Sequence, residues 1–326
     1  MGSTSGTAPP PGWQPTAGVE ALRQRADLLR LIRAFFADRG VLEVETPVLS
    51  GAGNSDPGIR QFRTTDDQWL RTSPEYPLKR LLARHDIDVF ELGRVFRSGE
   101  SGRRHNPEFT LLEWYRLGWS YPRLMEEVAA LVRHCGRQFG ASWTVRTTTY
   151  RDWLRDTAGI DPLEDPLDRI MTRVRAADPA LDGMDGLDRD GWLDLAVTHL
   201  AQPALAKDEL TLVSLYPASQ AALARLHPGD PRVAERFEAF LGDLELANGY
   251  RELTDATEQR TRFEAENDRR LKDGLPAVPL DHHLLQALES GLPECSGVAL
   301  GVDRLLMALG GHEHLDAVLA FPAERA

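Results

Sequence analysis

A chain of 326 residues that is 42% hydrophobic and 27% charged has the balance of a folded globular protein, long enough for one large domain or two small ones. A net charge of −12 argues against a broad electrostatic footprint on nucleic acid, and no apolar run reaches the length of a membrane span. Cys135 and Cys295 offer neither a disulfide framework nor metal-ligand spacing, which fits a reducing cytoplasm.

Residues 1–18, MGSTSGTAPPPGWQPTAG, are rich in Gly, Ser, Thr and Pro and lack the basic start and apolar stretch of a signal peptide. A mostly disordered lead-in is expected there. From Val19 to Arg39, Leu28, Leu31, Ile32, Phe35 and Phe36 recur at helical spacings, which predicts an amphipathic helix ended by Gly40. Val41 to Val44 alternates like a short strand closed by Pro47, and Ser50 to Ile59 is a Gly/Pro/Asn loop. Trp69 to Thr72 is strand-like and leads through Ser73 and Pro74 into a helix from Glu75 to Arg84. An acid at a helix start favours the dipole, and that alone can explain Glu75.

Two apolar runs, Val89 to Phe96 and Phe109 to Tyr115, flank a polar loop, the pattern of a hairpin with a long tip. The tip carries Arg97, Glu100, Arg103, Arg104, His105 and Asn106, just ahead of Phe109. Cations beside an aromatic ring suit a nucleoside triphosphate, with guanidinium on phosphate and ring on base; a solvated basic loop is the plainer alternative. Tyr121 to Phe139 predicts a helix. Residues 143–200 show short helical patterns between Asp/Pro/Gly-rich breaks and no evident chemistry, so a helical insertion packed on the rest is expected.

Leu210 to Tyr216 reads as a strand. In Val233 to Asp255, Glu238 and Glu245 stand on either side of a Gly242-Asp243 turn. A hairpin there would bring the carboxylates together, as Mg²⁺ requires, or would leave two surface acids. Ala256 to Asp273 is charged with little apolar face, which predicts a solvated surface helix. Asp281 to Ser290 is another helix and Cys295 to Val302 a buried strand. Gly301 to Leu309 begins a helix with Arg304 in its first turn, where a cation opposes the dipole; functional positions often show such a conflict.

The segment Val95 to Arg116, VFRSGESGRRHNPEFTLLEWYR, resembles motif 2 of class II aminoacyl-tRNA synthetases in the lysyl form. FFADRGVLEVETP at Phe35 to Pro47 is similar to motif 1, and GVALGVDRLLMAL at Gly297 to Leu309 to motif 3. The motifs stand in the family's order over most of the chain. The resemblance implies an α+β fold, the class II synthetase catalytic core, with a mostly antiparallel β-sheet flanked by helices across residues 19–326. It implies activation of an amino acid with ATP. Arg97 would hold the α-phosphate and Arg304 the γ-phosphate, both as catalytic residues. Glu100, His105, Asn106, Phe109, Glu245, Leu246 and Gly301 would complete the ATP site, with Phe109 stacked on adenine and Asn106 helping to read it. Glu238 and Glu245 match the family's metal-binding glutamates and would carry Mg²⁺. Ser73, Pro74, Glu75, Glu113, Tyr115, Asn248, Glu252 and Ala299 would bind the amino acid. So many anions point to a substrate with two ammonium groups, lysine or an isomer. Motif 1 implies a homodimer through Val19 to Pro47.

The chain also departs from the lysyl pattern. Gly99 stands where motif 2 usually has Glu, with Glu100 next to it, so the match leaves the role of Glu100 open. Ala299 replaces a Gly, and one extra methyl reshapes a tight pocket, which suggests a substrate other than α-lysine. Residues 1–18 are too few for an anticodon-binding OB-fold domain. The chain therefore resembles the short paralogues of lysyl-tRNA synthetase that pass β-lysine to a lysine side chain of elongation factor P. That implies elongation factor P as acceptor, no stable tRNA binding, no membrane and a cytoplasmic location.

Overall fold

The computed structural model describes residues 12–184 and 186–326. Of the expected lead-in, residues 1–11 lie outside the described residues. Thr16 and Ala17 are tied down: their N–H groups donate to the carbonyls of Ala320 and Leu319 at 2.9 and 3.1 Å.

Helix α1 (Val19–Ala37) buries Leu28, Ile32, Phe35 and Phe36, the stripe that its spacing predicts. Gly40 takes φ 67°, a left-handed turn that suits Gly, and the chain enters β1 (Leu42–Glu43). Strands β2 (Leu49–Ser50) and β3 (Trp69–Leu70) pair in a small separate sheet. Helix α2 (Glu75–His85) follows Pro74, and β4 (Val89–Phe96) then pairs antiparallel with β5 (Glu108–Leu117), from Val89 opposite Tyr115 to Phe96 opposite Glu108. This is the expected hairpin with its long tip. Helix α3 (Tyr121–Gln138) comes next. The stretch expected as a helical insertion supplies the edge strand β6 (Thr144–Thr149) and the helices α4 (Tyr150–Ala158), α5 (Leu167–Ala177) and α6 (Arg189–Ala196). The chain continues through β7 (Glu209–Pro217), β8 (Leu226–His227), β9 (Asp230–Leu241), β10 (Leu244–Arg251), α7 (Ala256–Lys272), α8 (His282–Glu289), β11 (Cys295–Gly301) and α9 (Val302–Gly310).

The main sheet runs β1-β4-β5-β11-β10-β9-β7-β6, with β8 on β9. Only the outer pairs β1·β4 and β6·β7 are parallel; the central strands are antiparallel, and helices flank the sheet, as expected. Side chains alternate across a strand, so each strand serves both faces. On one face Leu112 and Trp114 of β5 and Val298 and Leu300 of β11 join Leu28, Phe36, Val128 and Leu305 of α1, α3 and α9 in the largest apolar core. Full burial of each such side chain contributes about 1.5–3 kcal/mol. The opposite face presents Glu113 and Tyr115 of β5 and Ala299 of β11 to a cavity. Leu78, Leu82, Phe263, Leu284 and Leu288 from α2, α7 and α8 close one end of that face.

Helix α7 differs from expectation. It buries Gln259, Phe263 and Arg270, and the Phe263 ring lies 5.7 Å from Tyr76. One aromatic ring in an otherwise charged helix is too thin a stripe for periodicity to register. Helices α4 to α6 bury Tyr150, Trp153, Trp192 and Leu193 against Val213 and Phe240 of the sheet, an apolar centre of their own. Among the described residues, no helix is long and apolar enough to cross a membrane.

Candidate active site

A cavity of about 410 Å³ opens on the face not covered by α1, α3 and α9. At one end it is lined by Arg97, Glu100, His105, Asn106 and Phe109 from the β4–β5 hairpin, with Glu245, Leu246, Gly301 and Arg304 across from them. At the other end stand Ser73, Glu75, Glu113, Tyr115, Asn248 and Ala299. Pro74, Glu238 and Glu252 are not among the lining residues.

At the cationic end, the Arg97 N–H donates to the Pro107 carbonyl at 2.8 Å, which pins the start of the tip. Its guanidinium lies 5.2 Å from the centre of the Phe109 ring and 3.8 Å from Glu100 Oε1, while its buried Nε has no partner. Arg304, in the first turn of α9, donates from Nη1 to the Glu245 carbonyl at 2.9 Å and stands 3.5 Å from Glu245 Oε2. Its Nη2 is 2.6 Å from His105 Nε2. Burial and the Arg304 charge hold His105 below its ordinary range, so the neutral ring accepts from Arg304. Arg104 reaches Asp243 at 2.8 Å and so anchors the tip to the β9–β10 turn, and the Arg103 carbonyl accepts from Leu315 N–H at 2.9 Å. The Asn106 carboxamide is engaged at both ends, donating to the Glu108 carbonyl at 2.6 Å and accepting from Ala323 N–H at 2.9 Å.

The β9–β10 hairpin forms about the Gly242-Asp243 turn, but Glu238 and Glu245 are not cross-strand partners. Glu238 opposes Asn248, and Glu245 opposes Phe240. The register shifts between Glu245 and Ala247. A bulge of one residue reverses which way the chain faces. Without it, stepping back by twos from the cavity-lining Asn248 would point Leu244 at the cavity and Glu245 at the core. Glu238 sits 2.5 Å from Arg236 Nη2; burial raises its carboxyl, Arg236 opposes the rise and Glu245 adds to it. Among the described residues, no group of three or more His, Cys, Asp or Glu gathers for a metal. The Glu238/Glu245 pair suits a hard cation that keeps waters and takes further oxygens from phosphates.

At the acidic end, Glu113 accepts from Ser73 Oγ at 2.7 Å and from the Tyr115 hydroxyl at 2.8 Å. Burial, then the nearby Glu75 charge, push its carboxyl up to about 8. Glu75 and Glu252 share one cation: Lys79 Nζ is 2.7 Å from Glu75 Oε1 and 2.6 Å from Glu252 Oε2. Burial disfavours the Lys79 charge, but Glu252 and Glu75 outweigh it and hold the ammonium above its ordinary range. Gly297 keeps the floor open, because a Cβ there would come within 2.2 Å of Tyr115 Cε1.

Several residues in and behind the lining were not expected. Arg236 also reaches Asn248 Oδ1 at 3.3 Å and the Gln220 carbonyl at 2.7 Å, joining Glu238 to the amino-acid end; its place two residues before Glu238 on one strand face was the available signal. Lys79 lies four residues after Glu75, one helical turn along. Asn54, Asp56, Tyr250, Phe263 and Glu266 also line the cavity, and nothing local in the sequence marked them.

An antiparallel sheet carrying guanidinium groups at one end of a cavity and buried carboxylates at the other agrees with what the whole sequence matches. The chain belongs to the class II tRNA synthetases: the pattern for tRNA synthetases class II (D, K and N) matches residues 16–325. This is a family of ATP-dependent ligases. More narrowly, the chain is 45% identical over 327 residues to a protein of Vibrio cholerae, covering 96% of this chain and 98% of that one. It is 46% identical to a protein of Salmonella arizonae over 325 residues, 96% and 98% of the two chains, and 42% identical to one of Vibrio atlanticus over 329 residues, 96% and 99%. All are named elongation factor P–(R)-β-lysine ligase.

Proposed function

We propose that this chain uses ATP to activate (R)-β-lysine, or lysine, as an aminoacyl-adenylate and transfers the acyl group to a lysine side chain of elongation factor P. The observation that carries this reading is the polarity of the cavity: guanidinium groups at one end, and the half-buried Glu75 and buried Glu113 at the other. A substrate with two ammonium groups and one carboxylate matches it, ammonium groups among the acids and carboxylate toward the phosphates. Aspartate or asparagine would call for a cation where Glu113 stands. The names of the relatives agree.

A carboxylate becomes reactive toward an amine once one of its oxygens belongs to a good leaving group. Its oxygen attacks the α-phosphorus of ATP and pyrophosphate leaves. Arg97 stabilises charge growing at the α-phosphate, and Arg304 holds the far phosphate. Phe109 stacks on adenine, flanked by His105 and Asn106, while Glu100, Leu246 and Gly301 shape the nucleotide end. Ser73, Pro74 and Glu75 position one ammonium group, and Glu113, Tyr115, Asn248 and Glu252 the other, over Ala299. Glu238 and Glu245 would hold Mg²⁺, which would supply positive charge to the phosphates. In the second step the acceptor amine, having lost a proton, attacks the acyl carbon; the new C–N bond forms as the C–O bond to AMP breaks. A lysine amine has a pKa of roughly 10.4, so positioning a small neutral fraction is the main demand on the enzyme.

The reading includes a cytoplasmic homodimer and no stable tRNA complex, which the net charge of −12 disfavours. The test incubates the protein with ATP, Mg²⁺ and β-lysine and with either elongation factor P or tRNA, and weighs the products. A mass gain on elongation factor P alone is expected. A gain on tRNA alone would replace this reading with that of a tRNA synthetase.

A further inference from the structure

We infer that Lys79 is a positioning residue of the amino-acid pocket, whose buried ammonium clamps Glu75 and Glu252 so that their remaining oxygens face a substrate ammonium. The inference deepens the proposed function and rests on its reading of the acidic end.

An ordinary stabilising ion pair joins one acid to one base near the surface. Here one base joins acids from different segments. Glu75 opens α2, while Glu252 follows β10, and Lys79 Nζ lies 2.7 and 2.6 Å from them. Lys79 is 1% exposed, and so is Glu252. Burying this much charge is costly unless the geometry is closely met. Packing does not require it, since Leu78 and Leu82 already hold α2 in its core. Each acid uses one oxygen on Lys79. Glu75 lines the cavity, and Glu252 Oε1 lies buried beside the backbone of the cavity-lining Gly297.

Charge gives the second argument. Glu75, Glu113 and Glu252 influence one another electrostatically across the acidic end. Carboxylates crowded in a buried site repel and take up protons, and a protonated acid no longer attracts ammonium. One fixed cation on the side away from the cavity opposes the rise that burial imposes on Glu252, without occupying the place of the substrate.

The test is amino-acid-dependent pyrophosphate exchange, with wild type, Lys79→Met, Glu252→Gln and the double variant, using β-lysine and an analogue of equal length lacking the terminal amine. Lys79→Met is expected to raise KM for β-lysine roughly tenfold or more while KM for ATP stays within about twofold, and to erode discrimination against the analogue. A purely structural lysine would lower the amount of folded enzyme without this split. Should Lys79→Met fail to fold, the double variant removes the unpaired charge at the fully buried Glu252 and leaves only the partly exposed Glu75 without its partner. Compared with Glu252→Gln alone, it is expected to raise KM for β-lysine a further threefold, roughly, because Glu75 is also released. Unchanged KM for β-lysine in the folded variants would overturn the inference alone. Absence of any β-lysine-dependent exchange in the wild type would overturn the proposed function and this inference with it.

Discussion

Arg97 and Arg304 reach the cavity from opposite sides, one from the β4–β5 tip and one from the first turn of α9, and each is aimed by neighbours rather than left to sample solvent. Arg97 has a buried Nε without a protein partner, and Arg304 is steered by Glu245 and His105. Arg97→Ala and Arg304→Ala are each expected to slow pyrophosphate exchange by roughly a hundredfold or more, a loss of about 3 kcal/mol of transition-state stabilisation. Circular dichroism would confirm that the fold is kept, and near-normal exchange would remove the residue from the chemistry. Glu113 supplies a pH prediction. Its carboxyl is raised to about 8, so in the empty pocket it is largely protonated at neutral pH. An ammonium ligand favours the ionised form, so binding releases a proton, and KM for the amino acid should fall as pH rises from the acid side toward that value. Glu113→Gln should raise KM and flatten this slope. An unchanged slope would place the titration elsewhere.

At the scale of elements, the site depends on how strands are aimed. The bulge in β10 turns Glu245 toward Arg304 and sends Leu244 into the core, while Leu246, at the bulge, borders both core and cavity. Asp303 accepts from Thr110 N–H at 2.8 Å and pairs with Arg25, which ties α1, β5 and α9 together behind the cavity. The helical cap of α4 to α6 buttresses β9, the strand that carries Arg236 and Glu238. Trp153 is fully buried with its ring 5.3 Å from Phe240 of that strand. Trp153→Ala is expected to cost about 3–5 kcal/mol, read as a lowered denaturant midpoint. A loss well under about 1 kcal/mol would mean that the cap packs too loosely to support β9.

At the scale of the whole molecule, four of the exposed apolar side chains fall between Val19 and Leu49, with others spread elsewhere, such as Phe62, Leu271 and Phe321. Val19, Leu42, Val48 and Leu49 are 64, 53, 38 and 44% exposed. Scattered exposed apolar residues are ordinary, but a run of them in and just beyond the motif 1 segment agrees with a covered surface. Sedimentation at micromolar concentration is expected to give twice the chain mass of 36.3 kDa, and Leu42→Asp with Leu49→Asp to give the single-chain value. A wild-type monomer with full activity would count against the homodimer.

Periodicity and turn chemistry, which are local, determined the elements: the α1 stripe, the β4–β5 hairpin, the β9–β10 turn and the helix after Gly301 all lie where the sequence places them, within the usual play of a residue or two at the ends. The ordered motifs determined the family and contain a little under half of the cavity lining. What the sequence left open depends on contacts between distant segments. Lys79 looks like a surface residue of α2 until Glu252, far along the chain, closes on it. Arg236 and Phe263 become cavity residues only when β9 and α7 are laid against the same face. The spacing of Glu238 and Glu245 suggested partners across a hairpin, whereas the bulge decided which way each one faces, because strand alternation reverses with a single inserted residue. Residues 143–200 carried no readable chemistry; what the structure shows of them is packing against β7 and β9, and packing is specified by the surface a segment meets.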